Sequence, residues 1–465
     1  MMDYDVLILG GGIIGCAVAY ELSKYNINIA LIEKDYDIAN DLSCSNTAVI
    51  YDGSETYDDS MCKLEKVGMN LIKKHCKKFN IKYNKVGALR VSSNQNKYSM
   101  FDIMYKNARQ RGIDGIHIID HNEIYNIEPN LGINANKALY SENVALISPY
   151  NLAVSYAEVA ADNGVNFRLE EEVIDIKNIS KGFKVTTNKN KFTCKFVINT
   201  ISNEISTYKQ NEVYSEIRNK KMKYILFNQE LENNINGVVI NDIDDDTFTI
   251  NISTSSKGNL IGIKSKHCLS LEEELELSES ILTGIKKELI TNMFTETYSG
   301  NGICIDDSNI KDGYIKVTGN HYAKITIAPA IALDIEEKIK INMNITKKRD
   351  YIDKKREVYV FRNMSKEQRS KVINLDERYG NIICSCNSIS EGEIVDSIRR
   401  PLGARTVEGV KRRTGIGLGS CNGSYCNMKI IKILAREMNK SILSIVDDSM
   451  DSKVLVGRIK EFNEI

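Results

Sequence analysis

Two hydrophobic periods run along this chain, and each change of period marks an element. Val6–Leu9 is a short apolar, β-prone run, Cys16–Tyr25 carries apolar residues at helical spacing, and Ile29–Ile32 is apolar again. The opening therefore predicts strand, turn, helix, strand. Pro149 predicts the start of a helix whose apolar positions recur through Ala161, with Asn163-Gly164 ending it. Strands are predicted over Asn166–Leu169 and Val173–Ile176, and between turns over Tyr224–Asn228, Gly237–Ile240, Thr247–Ile252 and Leu260–Ile263. A helix is predicted over Ile327–Ile339, with Thr326 at its start. Near the C-terminus, Ser390-x-x-Glu393 is a capping box for a helix ending before Pro401. Thr406 can cap a second helix, Val407–Arg413, with Gly415 beyond its end, and Tyr425–Asn439 is a last one.

Composition narrows the class without naming it. At 465 residues the chain can bury a large core and divides into two or three domains. Lys+Arg and Asp+Glu both number 62, which gives no sign of a nucleic-acid or acidic surface partner. Apolar residues make up 42%, so the scarcity of proline and absence of tryptophan do not signal disorder. The apolar N-terminal stretch is broken by glycines and lacks a basic flank or cleavage site, so neither a signal peptide nor a membrane anchor is expected. Eleven cysteines without an export signal point to a reducing, cytoplasmic setting. Seven stand singly (Cys16, Cys44, Cys62, Cys76, Cys194, Cys268, Cys304) and read as small apolar residues.

The turn at Gly10-x-Gly12-x-x-Gly15 carries chemistry. Gly10 permits a tight turn, Gly12 lets backbone approach a pyrophosphate, and Gly15 allows close helix–strand packing. The following helix would offer its N–H groups and positive dipole end to the phosphates. Glu33, at the end of the second strand, can accept from ribose hydroxyls and would repel the extra phosphate of NADP. An ordinary glycine-rich turn is the plainer alternative.

Several stretches resemble the D-amino-acid-oxidase-type flavoprotein superfamily, particularly bacterial FAD-dependent glycerol-3-phosphate dehydrogenases and their 2-hydroxyacid-oxidising cousins. Besides the fingerprint they are Ser43–Gly53, "VGALRVS" (Val86–Ser92), Ala145–Val173, "FVINTIS" (Phe196–Ser202) and Gly313–Ala332. The resemblance implies an α/β fold: a Rossmann-like FAD-binding domain with an interleaved α+β substrate domain. FAD-binding parts would span about 1–82, 145–214 and 297–345, and substrate parts about 83–144 and 215–296, within a unit of 1–345. It also implies that Ser43, Asn46, the backbone of Val173, and Thr326 contact FAD. The N–H groups of the helix after Thr326 would face the flavin, where a helix dipole favours negative charge.

The remaining four cysteines form two tight pairs, Cys384-x-Cys386 and Cys421-x4-Cys426. Four thiolates suit zinc or a [2Fe–2S] cluster, although zinc ribbons usually space each pair by two to four residues. Glycines 415, 417, 419 and 423 make a supple loop around Cys421. Tyr379–Leu434 is similar to the [2Fe–2S] domain of bacterioferritin-associated ferredoxin, which also occurs fused to such dehydrogenases. That similarity implies a small α-rich domain over 379–465, after a linker over 346–378, with Cys384, Cys386, Cys421 and Cys426 holding [2Fe–2S].

The likeness thins at the substrate positions. Relatives carry His where Tyr51 stands, Arg where Gly302 stands, and Gly where Lys324 stands, and Thr200, Ile201 and Ser202 replace small residues. Candidate catalytic residues are then Tyr51 as acid or base, His321 beside the flavin segment, and Lys324 as a positive charge. Each also has a plainer reading, as a packed tyrosine, a surface histidine or a solvated lysine. Arg90 could face substrate or solvent, and the charged run Lys347–Lys355 reads as a solvated linker face. The leading expectation is an FAD-dependent dehydrogenase that oxidises a small hydroxy compound, glycerol 3-phosphate or a 2-hydroxy acid. It would pass electrons through the cluster to a partner flavoprotein or electron-acceptor subunit. The competing expectation is a non-catalytic FAD/[2Fe–2S] subunit that has lost substrate chemistry.

Overall fold

The computed structural model describes residues 2–40, 48–201, 220–227, 235–253, 258–299, 302–417, 419, 421 and 423–457. Ser43, Asn46 and Ser202 lie outside them. Two eight-stranded sheets dominate the fold. The first has a parallel centre, in the order Asn166–Arg168, Ile29–Ile32, Tyr4–Leu9, Lys191–Asn199 and Tyr314–Thr318. An antiparallel hairpin of Val173–Ile179 and Gly182–Thr187 extends it beyond Lys191–Asn199. The parallel strands are buried on both faces, as their unbroken apolar runs require.

Helices Ile13–Leu22, Pro149–Asp162 and Lys324–Met343 cover one face of this sheet, and their apolar sides join the main core. The helix Asp59–Lys78 packs on Lys324–Met343 so closely that a Cβ at Gly68 would lie 1.8 Å from the Thr326 carbonyl oxygen. Glycine is what lets these two helices touch. The second sheet draws its strands from two separated stretches of chain. Ile116–Asp120, Lys137–Ser141 and Ala88–Val91 lead into Val238–Asp242, Phe248–Ser253, Asn259–Lys264, Lys220–Phe227 and Ile290–Tyr298. The fold is thus mixed α/β with an interleaved second sheet.

The C-terminal part is small and helical, built on Glu391–Arg399, Val407–Thr414 and Asn427–Met438 around its own core. Ser390 and Glu393 form the expected capping box. Thr406 accepts from the Gly409 N–H, and Gly415 takes the left-handed conformation at φ +75°. Among the described residues no helix is long and apolar enough to cross a membrane.

Several boundaries differ from expectation. The first helix begins at Ile13, not Cys16, because Gly12 itself serves as its N-cap. The helix expected from Ile327 begins at Lys324. The Lys347–Lys355 run is exposed at Lys347, Arg349, Asp350 and Lys354, as expected, but is tied down between them. Asp353 accepts from Tyr20 at 2.7 Å and pairs with Lys78, Ile352 N–H donates to Asn163 at 3.0 Å, and Lys348 reaches the Asn163 carbonyl. Asp353 and Lys348 thus have partners at the nearby helices, which composition alone does not reveal.

Candidate cofactor and substrate site

At the opening turn, Gly10 adopts φ +97°, a left-handed conformation that favours glycine. A Cβ on Gly15 would lie 2.0 Å from the Gly10 carbonyl oxygen, so the helix can start this close to the strand only with glycine there. Gly12 caps the helix with extended backbone and no side-chain acceptor, leaving first-turn N–H groups for an anion. The Glu33 carboxylate accepts from the Gly11 N–H at 2.6 Å and from the Asp35 N–H at 3.0 Å. Those bonds fix its orientation beside the glycine turn. Glu171 N–H donates to the Glu33 carbonyl at 2.9 Å, which brings the start of the Val173–Ile179 strand beside the acid. Thr200 closes the turn from the next strand, its hydroxyl donating to the Leu9 carbonyl at 2.9 Å. This glycine cradle with an adjacent acid fits the diphosphate and ribose of a dinucleotide.

The other end of the site lies at the N-terminus of the Lys324–Met343 helix. Ala323 caps it without a side-chain hydrogen bond, and the Lys324 N–H donates to the His321 carbonyl at 3.0 Å. Thr326 is buried and its hydroxyl oxygen accepts from the Tyr51 N–H at 3.1 Å. Tyr51 is buried too, edge-on to Tyr322 with ring centroids 4.8 Å apart, and Tyr322 packs on His321 at 4.1 Å. The fold therefore gathers Tyr51, His321, Lys324 and Thr326 around one helix end. Above them, Tyr224 and Tyr298 of the second sheet share a hydrogen bond of 2.9 Å, and Tyr51 is near enough to oppose ionisation of Tyr224. Periodicity placed Tyr224 on a strand but could not show what it faces.

His321 has a defined proton. Its Nδ1 accepts from the Ala323 N–H at 3.2 Å, so in the neutral ring the proton sits on Nε2. Burial, with the Lys220 charge second, lowers its pKa to about 4. At neutral pH His321 is a hydrogen-bond donor through Nε2–H, not a cation. Beside it, Gly302 has φ +73°, and its missing Cβ would lie 3.4 Å from the Met61 sulfur and 3.6 Å from His321. The backbone there suits glycine and supplies no guanidinium. Arg90 is largely shielded from solvent and held by two carboxylates. Its Nε and Nη2 bind Asp242 at 2.6 and 2.7 Å, and its Nη1 pairs with Glu55.

Glu65, on the Asp59–Lys78 helix, is fully buried beside the Gly53 N–H. Burial first, then the Asp52 and Glu55 carboxylates, raises its pKa from 4.5 to about 8. The folded chain thus holds this proton where the unfolded chain has released it, and stability falls as pH rises from 4.5 to about 8. Glu65→Gln should remove that loss. Its Tm should gain on the parent between pH ~5 and ~8, an effect of up to a few kcal/mol. An equal Tm difference at both pH values would contradict the neutral buried acid. His75 has the opposite sign. Burial lowers its pKa from 6.5 to about 4. It stays neutral in the fold, with Nδ1 2.8 Å from the Tyr156 hydroxyl, so its stabilisation is lost as pH falls from about 6.5 to about 4.

The four paired cysteines come together in the C-terminal part, and all four are free thiols. Cys386 and Cys421 stand 3.7 Å apart between sulfurs, while Cys426 lies against Cys384. Cys384 and Cys426 are buried, whereas Cys386 is exposed and Cys421 partly so. Backbone N–H groups, Gly423 foremost, lower the Cys421 pKa, as a loop that donates to a sulfur ligand would. Among the described residues no three His, Cys, Asp or Glu side chains converge on a single-ion site. Two thiol pairs on two loops, with N–H donors at one sulfur, fit a two-iron cluster.

With this geometry in place, the comparisons decide the family. A family model described as FAD dependent oxidoreductase matches residues 5–334. The chain belongs to that family. A second model, a BFD-like [2Fe-2S] binding domain, matches residues 382–436. A glycerol 3-phosphate dehydrogenase of Caloramator mitchellensis is 31% identical over 98% of this chain and 99% of its own length. A glycerol 3-phosphate oxidase of Mycoplasma pneumoniae is 27% identical over 45% of this chain and 55% of its own. Its solved relative, L-alpha-glycerophosphate oxidase from Mycoplasma pneumoniae with FAD bound, superposes with a TM-score of 0.65 at 20% identity, covering 77% of this chain and 99% of that one. The cofactors of this FAD-dependent oxidoreductase are accordingly FAD and [2Fe–2S], and it is a dehydrogenase of the glycerol-3-phosphate dehydrogenase-like kind.

Proposed function

We propose that this oxidoreductase takes a small secondary alcohol bearing an anionic group, with glycerol 3-phosphate first and 2-hydroxy acids second, and delivers its electrons to a protein acceptor. The observation that carries the reading is the full-length similarity to a glycerol 3-phosphate dehydrogenase, joined to a nucleotide turn and a four-thiol centre in one chain. The same full-length similarity favours the catalytic reading over that of a non-catalytic subunit. FAD supplies hydride acceptance, and [2Fe–2S] supplies one-electron transfer onward.

On this reading Gly10, Gly12, Gly15 and Glu33 hold the nucleotide, the Val173 backbone lies at the adenine, and Thr326 lies at the flavin. The FAD-binding unit spans 1–345, and the cluster domain 379–465 follows a linker over 346–378. His321 donates from Nε2–H to a substrate oxygen and stays uncharged at neutral pH. Tyr51 orients the substrate hydroxyl from a ring locked by Tyr322 and by its own N–H bond to Thr326. Lys324 opens the helix with positive charge where its dipole is already positive. Cys386 is the exposed side of the thiol centre, and Tyr425, next to Cys426 in the chain, is 81% exposed, so an acceptor subunit would dock there. A cytoplasmic setting suits four free thiols that hold iron.

The test is an anaerobic panel of glycerol 3-phosphate, 2-hydroxy acids, other polyol phosphates and amino acids. Bleaching of the flavin absorbance by glycerol 3-phosphate or a 2-hydroxy acid supports the reading. Bleaching only by amino acids, or by nothing while a reduced protein partner still bleaches it, contradicts it. The histidine that carries covalent flavin in some relatives has no match in this sequence, so FAD should be bound non-covalently. Acid precipitation should leave the flavin in the supernatant, and flavin in the pellet would show a covalent bond.

A further inference from the structure

The segment that follows Glu33 is held from two sides. On one side the Ala39 N–H donates to the Gly11 carbonyl at 2.8 Å, and Ile38 and Ala39 are buried, so the segment lies against the glycine turn. On the other side it is gripped by the cluster domain. The Asp37 carboxylate, only 3% exposed, accepts from Arg413 Nη2 at 2.8 Å, from Arg413 Nη1, and from the Tyr150 hydroxyl at 3.0 Å. Arg413 Nη2 also donates to the Leu402 carbonyl at 2.7 Å, and Arg412 Nη1 donates to Asn40 Oδ1 at 2.8 Å. Both arginines belong to the Val407–Thr414 helix. That helix ends at Gly415, whose carbonyl accepts from Asn387 Nδ2 at 2.9 Å, and Asn387 directly follows Cys386. An unbroken run of covalent and hydrogen bonds thus joins the cysteine loop to the turn that cradles the diphosphate.

We propose that Arg413 and Asp37 are positioning residues for FAD, so that the docked cluster domain completes the nucleotide site. This rests on the reading of Gly10–Gly15 and Glu33 as that site. Burying a carboxylate and a guanidinium carries a desolvation cost, so the pair need not stabilise the fold more than apolar side chains of similar size would. What it supplies is a fixed place for residues 37–40, against which the glycine turn is set. A second ion pair joins the same two parts of the chain and offers a contrast. Arg400 binds Glu158 at 2.6 and 2.9 Å, at 7% and 1% exposure, but Glu158 lies on the Pro149–Asp162 helix and not in the segment after Glu33.

The experiment measures FAD affinity of the holoprotein by fluorescence of released flavin, with iron and sulfide assayed in the same samples. Arg413→Met should weaken FAD binding by about tenfold or more with cluster content retained, since Asp37 is left buried and unpaired. Arg413→Lys should fall between it and the parent, because an ammonium cannot reproduce the two-pronged contact. Glu158→Gln should stay within about threefold of the parent, although it too removes one charge of a buried pair, with Arg400 keeping Asp396 at 3.2 Å. Should Arg413→Met not fold, Asp37→Asn takes its place, keeping its shape and its neighbour Tyr150. Glu33→Gln reports on the site itself. Loss of FAD in Glu33→Gln with none in Arg413→Met overturns the proposal and leaves the nucleotide site standing. No loss in either overturns the site reading as well. Equal loss in Arg413→Met and Glu158→Gln means general destabilisation and also overturns the proposal.

Discussion

Cys421→Ser should remove most of the cluster from the protein while FAD remains bound. The parent, purified anaerobically, should carry two irons and two acid-labile sulfides and give a rhombic EPR signal after reduction. Cys421 is the thiol whose backbone donors favour the thiolate, and its sulfur stands 3.7 Å from that of Cys386. A serine hydroxyl is a harder, far less acidic ligand, so the cluster loses one of its four anchors. The flavin should stay because the substitution changes a loop on a separate core and leaves the Arg413–Asp37 contact untouched. A parent protein with one zinc and no sulfide would make this module a structural clip.

Gly15→Ala should abolish FAD binding, the largest loss expected from any single methyl group here. The new Cβ would stand 2.0 Å from the Gly10 carbonyl oxygen and 3.2 Å from the Thr200 hydroxyl. Both obstacles belong to the turn, and Gly10 is held by its N–H bond to Ile32 at 2.9 Å. Relief must come from moving the helix N-terminus off the strand, which spoils the anion cradle. Overpacking in a close-packed site costs about 1–3 kcal/mol or more, and here the same displacement removes the phosphate-facing N–H groups. Purified Gly15→Ala should therefore carry the cluster signal without flavin absorbance. Retention of stoichiometric FAD would show that the turn tolerates the shift and that the phosphates are held elsewhere.

What the sequence revealed was local. The glycine fingerprint, the proline-initiated helix at Pro149, and the caps at Ser390 and Thr406 each depend on residues within a few positions of one another, and each stands in the structure. Helix starts slipped where a residue had two roles. Gly12 is both part of the fingerprint and the helix cap, and Thr326 looked like the start of a helix that begins two residues earlier, at Lys324. Partners far apart in sequence were not legible at all. Alternation could place Arg90 on a strand but not find Asp242, 152 residues on, and nothing in the pattern joins Arg413 to Asp37 across 376 positions. The same holds for Tyr224 and Tyr298, whose hydroxyls meet across neighbouring antiparallel strands although the register sets Tyr224 opposite Phe294. Hydrophobic period reports which face a residue takes, and the identity of its neighbour belongs to the topology.

One measurement addresses the central claim directly. Glycerol 3-phosphate is mixed anaerobically with the as-isolated holoprotein, and visible absorbance and EPR are recorded on the same sample. The account predicts that the flavin absorbance bleaches and the rhombic cluster signal appears without any added reductant. Dithionite bleaching the flavin and raising the cluster signal, while neither glycerol 3-phosphate nor a 2-hydroxy acid does either, would contradict it.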